Sequence, residues 1–451
     1  MRRRRTNGIG LGWGLLDQGF SSLTNLGLSV LAGRLLGPSG LGSVFLAFTV
    51  YTLVLEFQHS LLQEPYVVAE AGEESPVRTK NAFAIGLVYE VLIAAAVAIV
   101  GAAIPGAVGH VLVGLAPWIV PLLFQDLCRS VLFKDRRGGV ATVSDAIWAV
   151  TMIALVPMVL AHRSPSFVIG CWGAGATAGA IVGFAAIRCL PGDLRQAWAW
   201  WQADAAPLGR WLGLESAGLV VGTQGAVFLV AALVSQGQLG GLRAVQSAFA
   251  PMTLVGPALR MPGLPAIARA SARGDADGLR IARRIATRLS AAAFVLVVFY
   301  FVALETTGGR LLSAVFGRSF RGFDHLILPV GVGQLSGAAA LGFYVLLRAR
   351  ARGRTVFGVR VITAVATFML IPPLTLQWGV YGAAWGSSLG AAVGWVLIGL
   401  TALRGPFVAS RRARTNAPSP FMPTVSGFVD PVDDATFAAA PMPNVTGGTT
   451  P

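Results

Sequence analysis

VYGAAWGSSLGAAVGWVLIGLTAL, residues 380–403, runs from Val380 to Leu403 without one charged side chain. A bilayer core of about 30 Å takes roughly 20 consecutive apolar residues as a helix, so this stretch reads as a membrane span. Gly382, Gly386, Gly390 and Gly394 recur every four residues and share one helical face. Small residues on a common face let helices approach closely in lipid, where packing rather than hydrophobicity holds them together. Gly175, Gly179 and Gly183 repeat the pattern earlier in the chain.

The same reading, carried outward, gives spans at 11–35, 41–63, 82–104, 109–132, 140–160, 167–189, 211–234, 239–266, 287–305, 324–347, 356–376 and 380–403. Composition agrees, with 55% hydrophobic and only 12% charged residues and a mean hydropathy of +0.68. Soluble domains carry about 25% charged residues, and closed β-barrels show short alternating strands instead of long apolar runs. The sequence therefore predicts an all-α integral membrane protein of about twelve transmembrane helices.

Basic residues fix its orientation, because Lys and Arg in short loops resist translocation. With the N-terminus in the cytoplasm, 26 basic residues fall inside, from Arg2 to Arg5 through to Arg414. Only Arg34, Arg163, Arg310, Arg318 and Arg321 fall outside. The net charge of +15 is thus a topology signal, and no nucleic-acid partner is expected. Cys128, Cys171 and Cys189 lack any CxxC or His-paired spacing and read as packing residues. No metal or cofactor is expected, and the catalytic set is empty. The N-terminal run carries Asp17, Gln18 and Asn25 and lacks a convincing cleavage site, so it reads as a retained first helix and not as a leader.

The expected domains are a basic cytoplasmic N-terminus (1–10), a six-helix lobe (11–190), a cytoplasmic or interfacial linker (191–210), a second six-helix lobe (211–403) and a disordered cytoplasmic tail (404–451). In the linker, Arg195 to Trp211 alternates basic residues with Trp198, Trp200 and Trp201, which suits a segment lying among headgroups or an ordinary aromatic belt. The lobes resemble each other: Asp17, Leu41-Gly42 and Pro65 reappear as Glu215, Leu239-Gly240 and Pro262 at offsets of 198, 198 and 197. Six spans are an even number, so the halves are parallel repeats about an axis normal to the membrane, with a central cleft expected between them.

Polar residues inside spans are costly, at least about 2.5–3.5 kcal/mol for an ionisable group, and usually face protein or water. Thr49, Thr52, Glu56, His59 and Gln63 follow three-four steps and form one polar stripe. Arg243, Gln246, Thr253 and Arg260 form its counterpart in the second half. Asp17, Ser21 and Asn25 on the first helix, with Glu215 and Gln224 on the seventh, complete four helices expected to line the cleft. Arg129 and Asp145 are expected to make a structural ion pair. Pro251 and Pro257 interrupt the eighth helix, which fits a gate or static packing.

Leu16-Asp17-Gln18-Gly19, Leu31-Ala32-Gly33-Arg34-Leu35-Leu36-Gly37-Pro38 and Leu41-Gly42 resemble the opening of Wzx-type polysaccharide flippases of the multidrug/oligosaccharidyl-lipid/polysaccharide (MOP) exporter superfamily. Gly241 to Gln246, Leu264 to Arg269, Val315-Phe316-Gly317 and Tyr381 to Trp385 extend the resemblance across residues 10–403. It implies a two-lobed bundle in a bacterial cytoplasmic membrane, with both termini inside. Such a bundle moves an undecaprenyl-pyrophosphate-linked saccharide to the outer leaflet by alternating access, for cell-surface polysaccharide biosynthesis, with polysaccharide assembly proteins as partners. A pyrophosphate suits cations and a saccharide suits amides and carboxylates. Path candidates are therefore Arg34, Arg243, Arg260 and Arg360 for the former, and Glu56, His59, Gln63, Gln224 and Gln246 for the latter. Asp17, Asn25 and Glu215 are ion-coupling candidates, and Glu56 and His59 are open to the same role. An interior-negative potential drives anions outward at about 2.3 kcal/mol per charge per 100 mV.

Two other readings stay open. A cation-coupled multidrug exporter would share the fold, and a membrane glycosyltransferase or polysaccharide polymerase would need a larger outer loop than residues 306–323 offer. A Walker-type phosphate loop is absent from the sequence.

Overall fold

The structure is a computed structural model, and it describes residues 2–68, 75–253, 255–273, 275–350 and 353–404, with some side chains inside these ranges left undescribed. In chain order the helices are α1 (Arg2–Gln58), α2 (Glu64–Val68), α3 (Ser75–Ala103), α4 (Ala107–Lys134), α5 (Gly138–Ala154), α6 (Val156–His162), α7 (Pro165–Ile187) and α8 (Leu194–Trp200). They continue as α9 (Ala206–Leu233), α10 (Gln236–Ala248), α11 (Ala250–Thr253), α12 (Val255–Ala272), α13 (Ala276–Phe316), α14 (Ile327–Ala349) and α15 (Gly353–Arg404). Short π-helical turns cover His59–Gln63 and Trp201–Ala205, and a 3-10 turn covers Arg318–Leu326. Of the predicted tail, 404–451, all but Arg404 lies outside the described residues.

Nine described helices are long and apolar enough to cross a membrane. Two of them, Gly19–Val67 and Thr355–Leu403, are 49 residues each. At 1.5 Å per residue such a helix measures ~74 Å, more than twice the bilayer core, so each must cross twice. They bend at Gly37 (φ 71°) and at Trp378-Gly379 (φ 58° at Gly379). Left-handed φ disfavours a side chain, which is why glycine sits at these corners. The run α10–α12 supplies one more pass, giving the twelve expected. It breaks between Ala248 and Val255, beside Pro251, whose missing N–H cannot continue the helical ladder.

The glycine ladders do what their spacing implies. Across the α15 bend, Gly386 faces the Ile371 backbone, with the site of its missing Cβ 2.8 Å from Ile371 Cα, while Gly382, Gly390 and Gly394 face Leu374, Thr367 and Thr363. The paired numbers fall as the glycine numbers rise, so the two arms run antiparallel. Gly175 and Gly179 meet Trp148 and Ser144 in the same way, seating α7 on α5. Helices α3, α4, α5 and α7 pack together and onto α1, whereas α9 packs on α15 and α12–α15 pack in sequence. The halves meet chiefly where α1 runs along α10 and α9.

The repeat is visible at that junction. A Cβ on Gly42 would overlap the carbonyl of Gln236, and a Cβ on Gly240 would overlap the carbonyl of Pro38. Ser39 Oγ lies 3.4 Å from the Cβ position of Gly237. Pro38, Ser39 and Gly42 become Gln236, Gly237 and Gly240 on adding the repeat offset of 198. Each residue thus contacts its own counterpart or its counterpart's neighbour, the signature of an isologous, two-fold contact.

Candidate functional site

The polar stripe on the second arm of α1 divides at its far end. Thr49 and Thr52 turn their hydroxyls back onto the carbonyls of Phe45 (2.8 Å) and Thr49 (3.0 Å). Beyond Glu56 the helix widens into the π turn His59–Gln63. One extra residue per turn shifts the register and makes i and i+5 neighbours; Gln63 Nε2 donates to Gln58 Oε1 at 3.2 Å across that interval. His59 and Gln63 consequently point at α4, into the first half of the molecule. His59 Nε2 lies 2.5 Å from Asp126 Oδ2, Gln63 Nε2 donates to the same oxygen at 3.0 Å, and Ser130 Oγ donates to Gln63 Oε1 at 2.5 Å.

Around this junction lies a buried polar network. Arg129 donates to Asp126 Oδ1 at 2.7 Å and to Asp17 Oδ2 at 3.3 Å, while Asp145 Oδ2 stands 3.9 Å away. The expected Arg129–Asp145 pair is therefore the longest of three contacts. Gln125 Nε2 donates to Asp145 Oδ1 at 2.7 Å and to Ser144 Oγ at 3.2 Å. At the other end Gln58 Nε2 donates to Glu90 Oε1 at 2.7 Å. Glu90 Oε2 and Asp17 Oδ1 are buried without a hydrogen-bond partner. Three buried carboxylates (Asp17, Asp126, Asp145) thus share Arg129, Asp126 also meets His59, and buried Glu90 joins the network only through Gln58. Unpaired charge is costly where water is scarce, so carboxylates that outnumber their cationic partners favour holding a proton.

Arg243 is placed differently. It sits on α10, where the halves meet, with its guanidinium 4.7 Å from the Phe45 ring centre and 5.3 Å from that of Phe48. Both rings belong to the other half. Among the described residues no carboxylate lies within 4.0 Å of Arg243. Glu56, Gln224 and Gln246, on α1, α9 and α10, are half-buried, and their side chains make no hydrogen bond among the described residues. These three helices form the junction between the halves.

The remaining predicted residues are scattered. Arg34 donates through Nε to the Val315 carbonyl at 2.7 Å and through Nη2 to that of Ala314, closing the last turn of α13, where carbonyls lack helical partners. Arg360 Nη2 donates to Tyr344 Oη at 3.0 Å within the second half. Asn25 is half-buried, and its carbonyl accepts from Ser29 Oγ at 3.2 Å. The side chains of Glu215, Thr253, Pro257 and Arg260 lie outside the described residues.

No family model matches the chain, and no curated protein matches it. Solved structures do. The lipid II flippase MurJ in an inward closed conformation aligns with a TM-score of 0.66 at 14% identity, covering 87% of this chain and 87% of that one. An inward-facing multidrug resistance MATE-family transporter of the MOP superfamily gives a TM-score of 0.66 at 10% identity, covering 85% and 93%. The chain has the MOP fold. A third MOP structure, from Pyrococcus furiosus, aligns with a TM-score of 0.56 at 11% identity over 86% and 92%; it is described as having a binding pocket of reverse polarity that suggests a different function.

On this MOP scaffold, sequence reasoning missed Gln58, Glu90, Gln125, Asp126 and Ser144. Asp126 had a usable signal, since it stands one helical turn before Arg129 and two acidic or basic groups so placed on a span are neighbours. Glu90 had one as well, being an ionisable residue inside the predicted span 82–104; for Gln125 the direction it faces depends on packing.

Proposed function

We propose that the protein is a transporter of a bacterial cytoplasmic membrane that carries a polyprenyl-diphosphate-linked saccharide to the outer leaflet by alternating access. Arg243 carries the reading. A guanidinium held by aromatic rings between the halves, with no carboxylate within 4.0 Å among the described residues, is poised for an anion. Glu56, Gln224 and Gln246, on the helices that form the same junction, offer hydrogen-bonding groups of the kind a saccharide uses. Arg34 and Arg360 already have protein partners and play a lesser part in this scheme.

The test is translocation of a fluorescent undecaprenyl-diphosphate disaccharide in liposomes. Arg243→Ala should slow it at least tenfold with unchanged folded yield, and Arg243→Lys should keep part of the rate. Wild-type rates in Arg243→Ala remove the anion-site reading.

The acidic network favours a second element, coupling to protons. An inward-directed proton gradient should accelerate transport, and Asp17→Asn should abolish that acceleration. If the wild-type chain instead exports ethidium and moves no lipid-linked sugar, the multidrug reading replaces this one.

A further inference from the structure

We infer that the inner end of the second half carries a binding site for the headgroup of an anionic phospholipid, built on Tyr344, Arg348 and Arg360 and separate from the junction that holds Arg243. Its occupancy does not depend on what the protein transports.

The sequence sets the charge. Residues 267–290 and 348–360 hold eleven arginines and two acidic residues, Asp275 and Asp277. Of the two, Asp277 is already paired with Arg280 at 3.1 Å. The basic-residue count places both stretches on the cytoplasmic side, where anionic lipids of the leaflet attract such clusters.

Geometry narrows this patch to a site. Tyr344, on α14, is 5% exposed and packs in an apolar cluster of the second half. Arg348, one turn further along α14, sets its guanidinium carbon 5.3 Å from the Tyr344 ring centre, and Arg360, on α15, sets its own at 5.9 Å. Arg360 Nη2 also donates to Tyr344 Oη at 3.0 Å, and Trp395, on the second arm of α15, meets the same ring edge-on at 6.3 Å. Among the described residues neither guanidinium has a carboxylate within 4.0 Å. Two like charges held against one ring repel each other. A phosphate placed between them offsets that repulsion and accepts hydrogen bonds from both guanidinium forks.

Depth selects the occupant. Arg360 stands seven residues into α15, roughly 10 Å along the helix and inside the predicted span 356–376. Tyr344 lies inside the predicted span 324–347. A phosphate at that level sits at the inner edge of the apolar core, where it is reached by a lipid whose chains lie among the helices. A soluble polyanion meets only the exposed arginines beyond the span ends. The four side chains belong to α14 and α15, whereas Arg243, Phe45 and Phe48 belong to α10 and α1, so the site is not part of the anion position proposed above.

The test is native mass spectrometry of the full chain after titration with dioleoyl-phosphatidylglycerol or, as a zwitterionic control with the same chains, dioleoyl-phosphatidylcholine. The first phosphatidylglycerol should bind at least tenfold more tightly than the first phosphatidylcholine. Arg348→Gln should weaken it at least threefold, and Arg348→Gln combined with Arg360→Gln should erase the preference. Arg284→Gln, which removes an exposed arginine at the same end with no part in the ring cluster, should leave it unchanged. Arg348 is itself exposed, so its single variant carries the test if the double variant does not fold. Equal binding of the two lipids, wild-type affinity in Arg348→Gln, or an equal loss in Arg284→Gln would each overturn the site. Undecaprenyl diphosphate at equal concentration should not displace the bound phosphatidylglycerol; displacement would give the site to a lipid-linked diphosphate and overturn the phospholipid as its occupant.

Discussion

Replacing Arg129 by Met tests the acidic network most directly. The guanidinium faces carboxylate oxygens at 2.7, 3.3 and 3.9 Å. At an effective dielectric of about 20, Coulomb's law gives gross attractions of roughly 6, 5 and 4 kcal/mol. Desolvation of all four groups consumes most of that. Measured losses on removing one partner of a buried pair are about 3–5 kcal/mol, chiefly because the surviving charge is stranded. Here three carboxylates would be stranded, so Arg129→Met should lose at least that much apparent stability unless protons enter.

The sign of the double variant is the sharper readout. Asp126→Asn in the Arg129→Met background removes the carboxylate that was nearest the guanidinium and leaves an amide that His59 and Gln63 can still contact. The pair should recover about half of the single variant's loss. Thermal unfolding in detergent, followed by tryptophan fluorescence at fixed protein concentration, measures both. The reasoning fails if Asp126→Asn deepens the loss by its own single-variant cost, since independent sites add and coupled sites do not.

Gly386→Leu should lower stability by about 1–3 kcal/mol through overpacking, because its Cβ position is 2.8 Å from Ile371 Cα, while Gly399→Leu, with nothing within 4 Å, should leave folded yield unchanged. Equal yields from size-exclusion chromatography would count against close packing at the α15 bend. Trp201→Phe removes the indole N–H that donates to the Leu61 carbonyl at 3.2 Å, and should cost about 1–3 kcal/mol because a buried acceptor is orphaned. Pro65 sits four residues after Leu61 and lacks the N–H that would otherwise serve that carbonyl; Pro65→Ala should rescue Trp201→Phe in the same melting assay, and failure to do so would remove this account. Arg34→Ala should cost about 1–3 kcal/mol in the same melting assay, because the Ala314 and Val315 carbonyls lose their donor, and an unchanged melting temperature would remove that account.

How much of this was legible differs by residue. Twelve passes followed from hydropathy, and the glycine ladders from spacing, because both depend on local sequence. The offset of 198 between Gly42 and Gly240 predicted their equivalence, though not that they would meet; contact requires knowing where the axis runs. The stripe Thr49, Glu56, His59, Gln63 assumed an unbroken α-helix. Nothing in a three-four pattern announces a π turn, and that turn carried His59 and Gln63 to Asp126 and away from the junction that Arg243 occupies. Arg34 looked like an anion ligand because a cation near a span invites one, whereas the carbonyls that hold it lie 280 residues away in sequence.

These displacements divide the work between two regions of the chain. His59, Gln63 and Asp17 gather with Asp126, Arg129 and Asp145 inside one half, while Arg243 lies between the halves against Phe45 and Phe48, roughly 12 Å along α10 from its first turn. The side chains of the network belong to one half, although the π turn that carries His59 and Gln63 also touches the other half where Ser60 Oγ donates to Ser216 Oγ. Coupling requires that its state alter the junction. The second arm of α1 is the covalent link available for this: it carries Gly42 at the turn, Phe45 and Phe48 under Arg243, and His59 and Gln63 in the network. In the proton-coupled scheme proposed above, a proton taken up within the network would change what holds His59 and Gln63, hence the π turn, and the same helix would carry that change to the glycine contact. The π turn is therefore the element whose removal should separate proton uptake from transport. Deleting one residue between His59 and Gln63 to restore an α-helical register should leave a folded chain that still exchanges protons but no longer responds to a proton gradient. Retention of gradient-driven transport in that deletion would break the proposed connection.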